Sequence, residues 1–414
     1  MSKGNGFAER VLANGLRVIV EPMANVRSAA AGFLVRTGAR DETPELAGVS
    51  HFLEHMCFKG TPNRDWRQIT VDFDKLGSTY NAYTSKERTV YFGWVRADDL
   101  EKQIELLADM MQSVIPSEEF DMEKKVILEE IAMSDDQLDR HVYDFIHERI
   151  HADHPLAWPV LGNAKTVGDL TRDRMRAYFD ERYHAGNMVL IVAGAIEPEA
   201  AFAMAERVCG DRAGGAARPE RTAPPVPGDG TAVQQMDRFQ QQAVALIFAG
   251  PSSAHEDREA AGVLVSILGG HNSRFFWNIV QAGVAPYVWA GRLDYSDHGL
   301  LVVCGFCEPD RAEAVLDAMR CEIKKVVDSG VTEDEVQMVK NRVRTGLAAE
   351  SESPYHRLTQ MMQDIDVLGH PRTVSERLAR IDAVTAASIR DHLIRWPISG
   401  PGFLVSVGPR DWPA

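Results

Sequence analysis

Two stretches of this chain pass through the same succession of residue types at a nearly constant distance. That internal repeat limits the folds open to it more than any other feature. AAAGFLVRTGARDETPELAGVSHFLEHM in the first half and AVALIFAGPSSAHEDREAAGVLVSILGG in the second both run strand, turn, acidic segment, then Ala-Gly-Val opening a helix; Gly48 falls on Gly262, an offset of 214 residues. Further on, IPSEEFDMEKKVILEEI matches VTEDEVQMVKNRVRTGL at an offset near 215, with Ser117 on Thr332. A fixed period over so long a run points to duplication of one folding unit. Between the copies lies GDRAGGAARPERTAPPVPGDG, rich in Gly and Pro and without apolar periodicity, which has the composition of a linker. The chain therefore reads as residues 1–209, a linker over 210–230, and a second copy over 231–414.

Within each copy strands and helices are mixed. RVIVEPM, AAAGFLVRTG, RTVYFGWV and MVLIVAGAI have the alternating or continuous apolar, β-branched character of strands. Residues 46–58, 98–114 and 117–135 have helical periodicity, with Ser117 a suitable N-cap. There is no strict strand–helix alternation and no Gly-rich phosphate loop. The expected fold class is α+β: two homologous α+β domains joined by a linker.

A length of 414 residues agrees with two domains rather than one. The formal net charge of −15 argues against nucleic acid as a partner, because phosphate binding needs a basic face. The start, MSKGNGFAERVLANGLRVIV, has no charged-then-apolar signal pattern, and no run reaches the ~18–20 apolar residues of a membrane span. A cytoplasmic protein with no membrane partner is expected. Five cysteines are too few and odd in number for a disulfide framework. Cys304 and Cys307 form a lone CxxC inside the apolar run GLLVVCGFC and read as buried strand residues rather than a metal knuckle, which needs a second pair.

The residues that carry chemistry are His51-Phe52-Leu53-Glu54-His55. On a helix, positions i and i+4 share a face, so His51 and His55 can address one ion. Two neutral imidazoles suit Zn²⁺, and a catalytic zinc takes three protein ligands and one open position. The metal acidifies a water toward pKa ~7, and a carboxylate beside it takes the proton; Glu54 stands where such a general base is needed. The plainer reading, two surface or core histidines on a helix, stays open on the pentapeptide alone. His147-Glu148-Arg149-Ile150-His151 is a rival of the H-E-x-x-H type. It lies near a helix end with no recognisable third ligand downstream, and coincidence is the plainer account of it.

LAGVSHFLEHMCFKGT, residues 46–61, resembles the pitrilysin/insulinase family of zinc peptidases, the group of the mitochondrial processing peptidase included, almost residue for residue. The spacing H-x-x-E-H is the inverzincin signature. In that family a third ligand lies in a helix of pattern E-x-x-V-I-x-x-E some 75 residues past the second histidine. Glu123-Lys124-Lys125-Val126-Ile127-Leu128-Glu129-Glu130 matches, with Glu130 75 residues after His55. The resemblance implies one zinc per chain held by His51, His55 and Glu130. It also places Glu123, on the same helix face as Glu130, beside Glu54 among the catalytic acids. Glu129 points about 100° away from Glu130 on an ideal helix. In the second copy the positions of His51, Glu54, His55 and Glu130 hold Val265, Leu268, Gly269 and Thr345, so that copy is expected to be inert.

The resemblance implies further roles. Asn81 and Ala82, in GSTYNAYT, match the strand that borders the zinc and pairs with an extended peptide by strand addition. Tyr287 matches the tyrosine of an Arg/Tyr pair with which the inert half grips substrate, but the arginine position is Val280. Family members of this size work as two-chain clamshells around a closed chamber, so a homodimer, or a heterodimer with an inert homologous chain, is expected. The function implied is zinc-dependent endopeptidase action on peptides or unfolded segments. The alternatives are a zinc-bearing subunit active only with a partner that supplies the Arg/Tyr grip, a non-catalytic binding subunit of the same fold, and a zinc amidase. Tyr355 and Arg357 admit either a substrate-facing or a packing role, and the Met-rich LTQMMQDI reads as core.

Overall fold

The computed structural model describes residues 6–216, 218 and 220–413. Residues 1–5, the head of the segment read above for targeting signals, and residues 217 and 219 of the linker lie outside the described residues. The chain forms two compact units, and neither is contiguous. The first takes residues up to 133, then 158–221 and 348–373; the second takes 134–157, 222–347 and 374 onward. The repeat boundary and the compact units are thus different divisions of the chain.

The first unit is built on a six-stranded sheet of β1 (Ala8–Val11), β2 (Arg17–Pro22), β3 (Ser28–Val35), β4 (Thr79–Thr84), β5 (Thr89–Arg96) and β6 (Met188–Gly194). Its order is β1-β2-β6-β3-β5-β4, with β2 and β6 parallel and the other neighbours antiparallel. Because side chains alternate along a strand, β3 splits its apolar run between two cores. Ala29, Ala31, Phe33 and Val35 face one side and Ala30 and Leu34 the other. The first side packs under α1 (Val49–Met56), α2 (Leu100–Met110) and α3 (Ser117–Asp135). The second is covered by the helix Pro354–Leu368, which offers Leu358, Met361, Met362 and Ile365. The Met-rich segment is therefore core. Arg357 is buried on the same helix and donates from Nε to Glu21 at 2.9 Å, while Tyr355 stacks near Trp94 at 4.5 Å.

The second unit has a five-stranded sheet of β7 (Gly230–Gln235), β8 (Gln242–Gly250), β9 (Tyr287–Asp294), β10 (Gly299–Cys307) and β11 (Phe403–Gly408), in the order β7-β11-β8-β10-β9. This is the order of the first sheet without its β1, and β7 and β11 are parallel as β2 and β6 are. The duplication read from residue types is present as topology. One face packs under α5 (Arg258–Gly269) and α6 (Ala312–Ser329); the other is covered by α4 (Leu138–His151), through Val142, Phe145, Ile146 and Ile150. Cys304 and Cys307, three apart on β10, fall in the two opposite cores, and all five cysteines are free. Among the described residues no helix is long and apolar enough to cross a membrane.

Candidate metal centre and active site

The helix expected over 46–58 is shorter, Val49–Met56, because its start is set from outside. Gly48 sits at φ 95°, in the left-handed region that favours glycine, and a Cβ there would lie 2.6 Å from the Leu161 carbonyl oxygen. Gly48 has no side chain to cap the helix. The buried Glu42 carboxylate does so instead, accepting the N–H groups of Gly48 and Ser50, each at 2.7 Å. Burial pushes the Glu42 pKa up to about 8, against the pull of those two bonds. Phe52, Leu53 and Met56 are wholly buried, each worth ~1.5–3 kcal/mol of transfer energy. They set the rotation of α1 and turn His51 and His55 the other way.

The two imidazoles lie 4.8 Å apart, ring centre to ring centre, at 63°. Glu130 of α3 meets both: its Oε2 is 3.7 Å from His51 Nε2 and 3.8 Å from His55 Nε2. Among the described residues these three form the one group of histidine, cysteine or acidic side chains able to hold a metal ion, with ligand atoms all within 4.8 Å of one another. A tetrahedral zinc with bonds of ~2.0–2.1 Å places its donors about 3.3 Å apart, and the Glu130 oxygen is within about 0.5 Å of that spacing from each histidine. The protonation pattern fits as well. Burial, then the neighbouring His55, lowers the His51 pKa to about 3 and leaves a neutral ring. Its buried Nδ1 has no hydrogen-bond partner. His55 Nδ1 lies 2.8 Å from Glu123 Oε1, which leaves Nε2 to face Glu130. Glu129 is exposed on the neighbouring face of α3, as the 100° step requires.

Glu54 stands half-buried beside this group. The Thr84 hydroxyl donates to its Oε2 at 2.7 Å, and burial raises the Glu54 pKa despite that bond. The sequence reading missed Thr84. The available signal was its place two residues past Ala82, on the same side of β4. Glu123, the second acid of the expected set, lies on α3 behind His55. It is buried, with one oxygen 2.8 Å from His55 Nδ1 and the other 2.6 Å from Lys59 Nζ. Burial opposes its charge, but the bonds from His55 and Lys59 prevail and hold its pKa below the usual range. Among the described residues β4 is the last strand of its sheet and pairs with β5 alone. On it Ala82 faces the core, while Asn81 is exposed and accepts the Ala82 N–H at 2.8 Å.

In the second unit, Tyr287 opens β9 and is exposed, and Val280 ends the short helical turn Phe276–Val280. Val265 and Leu268 are buried in the core, and Thr345 bonds back to the Asn341 carbonyl of its own helix. At Gly269, the counterpart of His55, a Cβ would lie 2.0 Å from Ala290 N. The rival motif is also here, on α4. His147 is wholly buried, with Nδ1 2.8 Å from the Tyr143 carbonyl and Nε2 bonded to the Tyr295 hydroxyl. Both nitrogens are engaged in packing contacts.

Known proteins match over nearly the whole chain. The profile of the insulinase family (peptidase family M16) matches residues 17–164, and that of the peptidase M16 inactive domain matches residues 169–343. A Rickettsia felis protein named an uncharacterized zinc protease is 31% identical over 95% of this chain and 97% of its own length. One of the same description from Streptomyces coelicolor is 33% identical over 94% of this chain and 86% of its own. Among solved structures, a protease from Helicobacter pylori superposes with a TM-score of 0.89 at 22% identity, covering 97% of this chain and 99% of that one. A structure described as a peptidase M16 inactive domain, from Pseudomonas fluorescens, superposes with a TM-score of 0.90 at 18% identity, covering 98% of each. These two structural likenesses concern the fold.

Proposed function

The chain belongs to the insulinase-type peptidase family M16, and from that premise we propose that it is a zinc-dependent endopeptidase acting on peptides or unfolded segments. The observation that carries this reading is the convergence of His51, His55 and Glu130 within 4.8 Å, with the Glu54 carboxylate beside them. His51, His55 and Glu130 would hold one zinc per chain. When bound, zinc supplies an electrophile that acidifies a water and polarises the scissile carbonyl. Glu54 takes the water's proton and passes it to the departing amide nitrogen, with Thr84 holding the carboxylate in place. The free edge of β4 offers main-chain groups to an extended substrate near Asn81 and Ala82, which favours unfolded chains over folded ones. Tyr287 would contact the substrate from the inert copy.

One observation favours a second reading. With Val280 at the family's arginine position, the chain would need a partner, a second copy or an inert homologue, to complete its substrate grip. The test measures metal content and cleavage of a quenched fluorogenic peptide by the purified chain. Glu54→Gln is expected to keep one zinc and lose at least ~10²-fold in turnover, the usual share of a general base; full activity would end this mechanism. Glu130→Gln is expected to lose the zinc. A zinc-loaded chain that cleaves nothing alone, but cleaves once a partner is added, would establish the second reading.

A further inference from the structure

α1 ends at Met56, and the following turn, closed by the Lys59 N–H on the Met56 carbonyl at 3.1 Å, carries Lys59 one helical turn past His55. Both side chains reach the same carboxylate. His55 Nδ1 lies 2.8 Å from Glu123 Oε1, and Lys59 Nζ lies 2.6 Å from Oε2. Glu123 is only 6% exposed, so an oxygen left without a partner there carries a desolvation cost. Lys59 itself is partly open to solvent. It lines a cleft of about 780 Å³ together with Arg64, Trp66, Ser117 and Glu119. Its positive charge is offset at contact distance by Glu123, so it adds little repulsion toward a cation held by His51, His55 and Glu130.

We propose that Lys59 is a positioning residue of the metal centre: by pinning Glu123 Oε2 it fixes Oε1 against His55 Nδ1 and so aims His55 Nε2 at the ion. This inference rests on the zinc-site reading above. Losing a partner in the shell behind a ligand typically weakens metal binding by ~10–100-fold. In Lys59→Met the stem keeps its packing while Oε2 loses its donor.

The experiment loads the full-length chain with zinc and follows release to a chromophoric chelator, with thermal unfolding of the metal-free proteins as the folding control. Lys59→Met is expected to release zinc ~10–100-fold faster than wild type, and Lys59→Arg to stay within about threefold, the metal-free forms melting alike. In a Glu123→Gln background Lys59→Met is expected to add almost nothing, because Lys59 acts through that carboxylate. Equal release from wild type and Lys59→Met, slower release from the variant, or a full additional effect in the Glu123→Gln background would each overturn the proposal. Should metal-free Lys59→Met fail to fold, Lys59→Gln carries the same comparison. Wild-type chain without zinc, or Glu130→Gln that keeps it, would instead overturn the metal-site reading, so the two failures are distinguishable.

Discussion

At the scale of single residues, the site depends on side chains that no motif names. Thr84 comes from a strand 30 residues past Glu54, and its hydroxyl is a polar contact that orients the proposed base. Thr84→Val keeps the shape and removes the donor. A hydrogen bond to a charged group is worth ~1.5–3 kcal/mol, so kcat should fall ~10–100-fold while zinc content and KM stay near wild type. Unchanged kcat would remove Thr84 from the machinery. His147 illustrates the opposite case. Its H-E-x-x-H pattern matches a zinc motif letter for letter and lacks only a recognisable third ligand, and Tyr143 and Tyr295 engage both its nitrogens. The H-x-x-E-H set was legible because its spacing is local to one helix. Thr84, Lys59 and Glu42 were not, because their partners are brought to them by folding.

At the scale of elements, α1 and α5 are the same helix in two copies with different surroundings. α1 keeps its histidine face open toward Glu130, whereas α5 has Gly269 where His55 would stand, with the backbone of β9 closed onto it. The second copy has neither the ligands nor the room for one at Gly269. Gly269→Ala places a Cβ 2.0 Å from Ala290 N. It is expected to destabilise the protein by ~1–3 kcal/mol, the usual cost of overpacking. Urea unfolding of wild type and variant checks this. A neutral substitution would show that β9 yields easily and that the closure is incidental. Strand and helix identities were readable from periodicity, but the ends of α1 were not, since its start depends on Gly48 at positive φ and on the distant Glu42 carboxylate.

At the scale of the whole molecule, metal and fold are coupled by mass action: whatever binds the folded state alone stabilises it, by ~2.7 kcal/mol at a hundredfold excess over Kd. Chelation is therefore expected to lower the thermal midpoint of the wild-type chain by ~5–10 °C, at 2–4 °C per kcal/mol for units of this size. The midpoint of Glu130→Gln should not respond. A wild-type midpoint indifferent to chelator would argue against a zinc held in a folded site. The repeat, the α+β class and the spacing of His51, Glu54 and His55 were determined by sequence alone, because periodicity and local geometry encode them. Tertiary structure decided the rest. It set the rotation of α1 through Phe52, Leu53 and Met56, and presented Glu130 rather than Glu129. It gave α4 and the Pro354–Leu368 helix their places in compact units that cut across the repeat. The physical reason is common to all three. An apolar helix face is written in the sequence, but which sheet buries it, and so where its polar face points, depends on residues tens to hundreds of positions away.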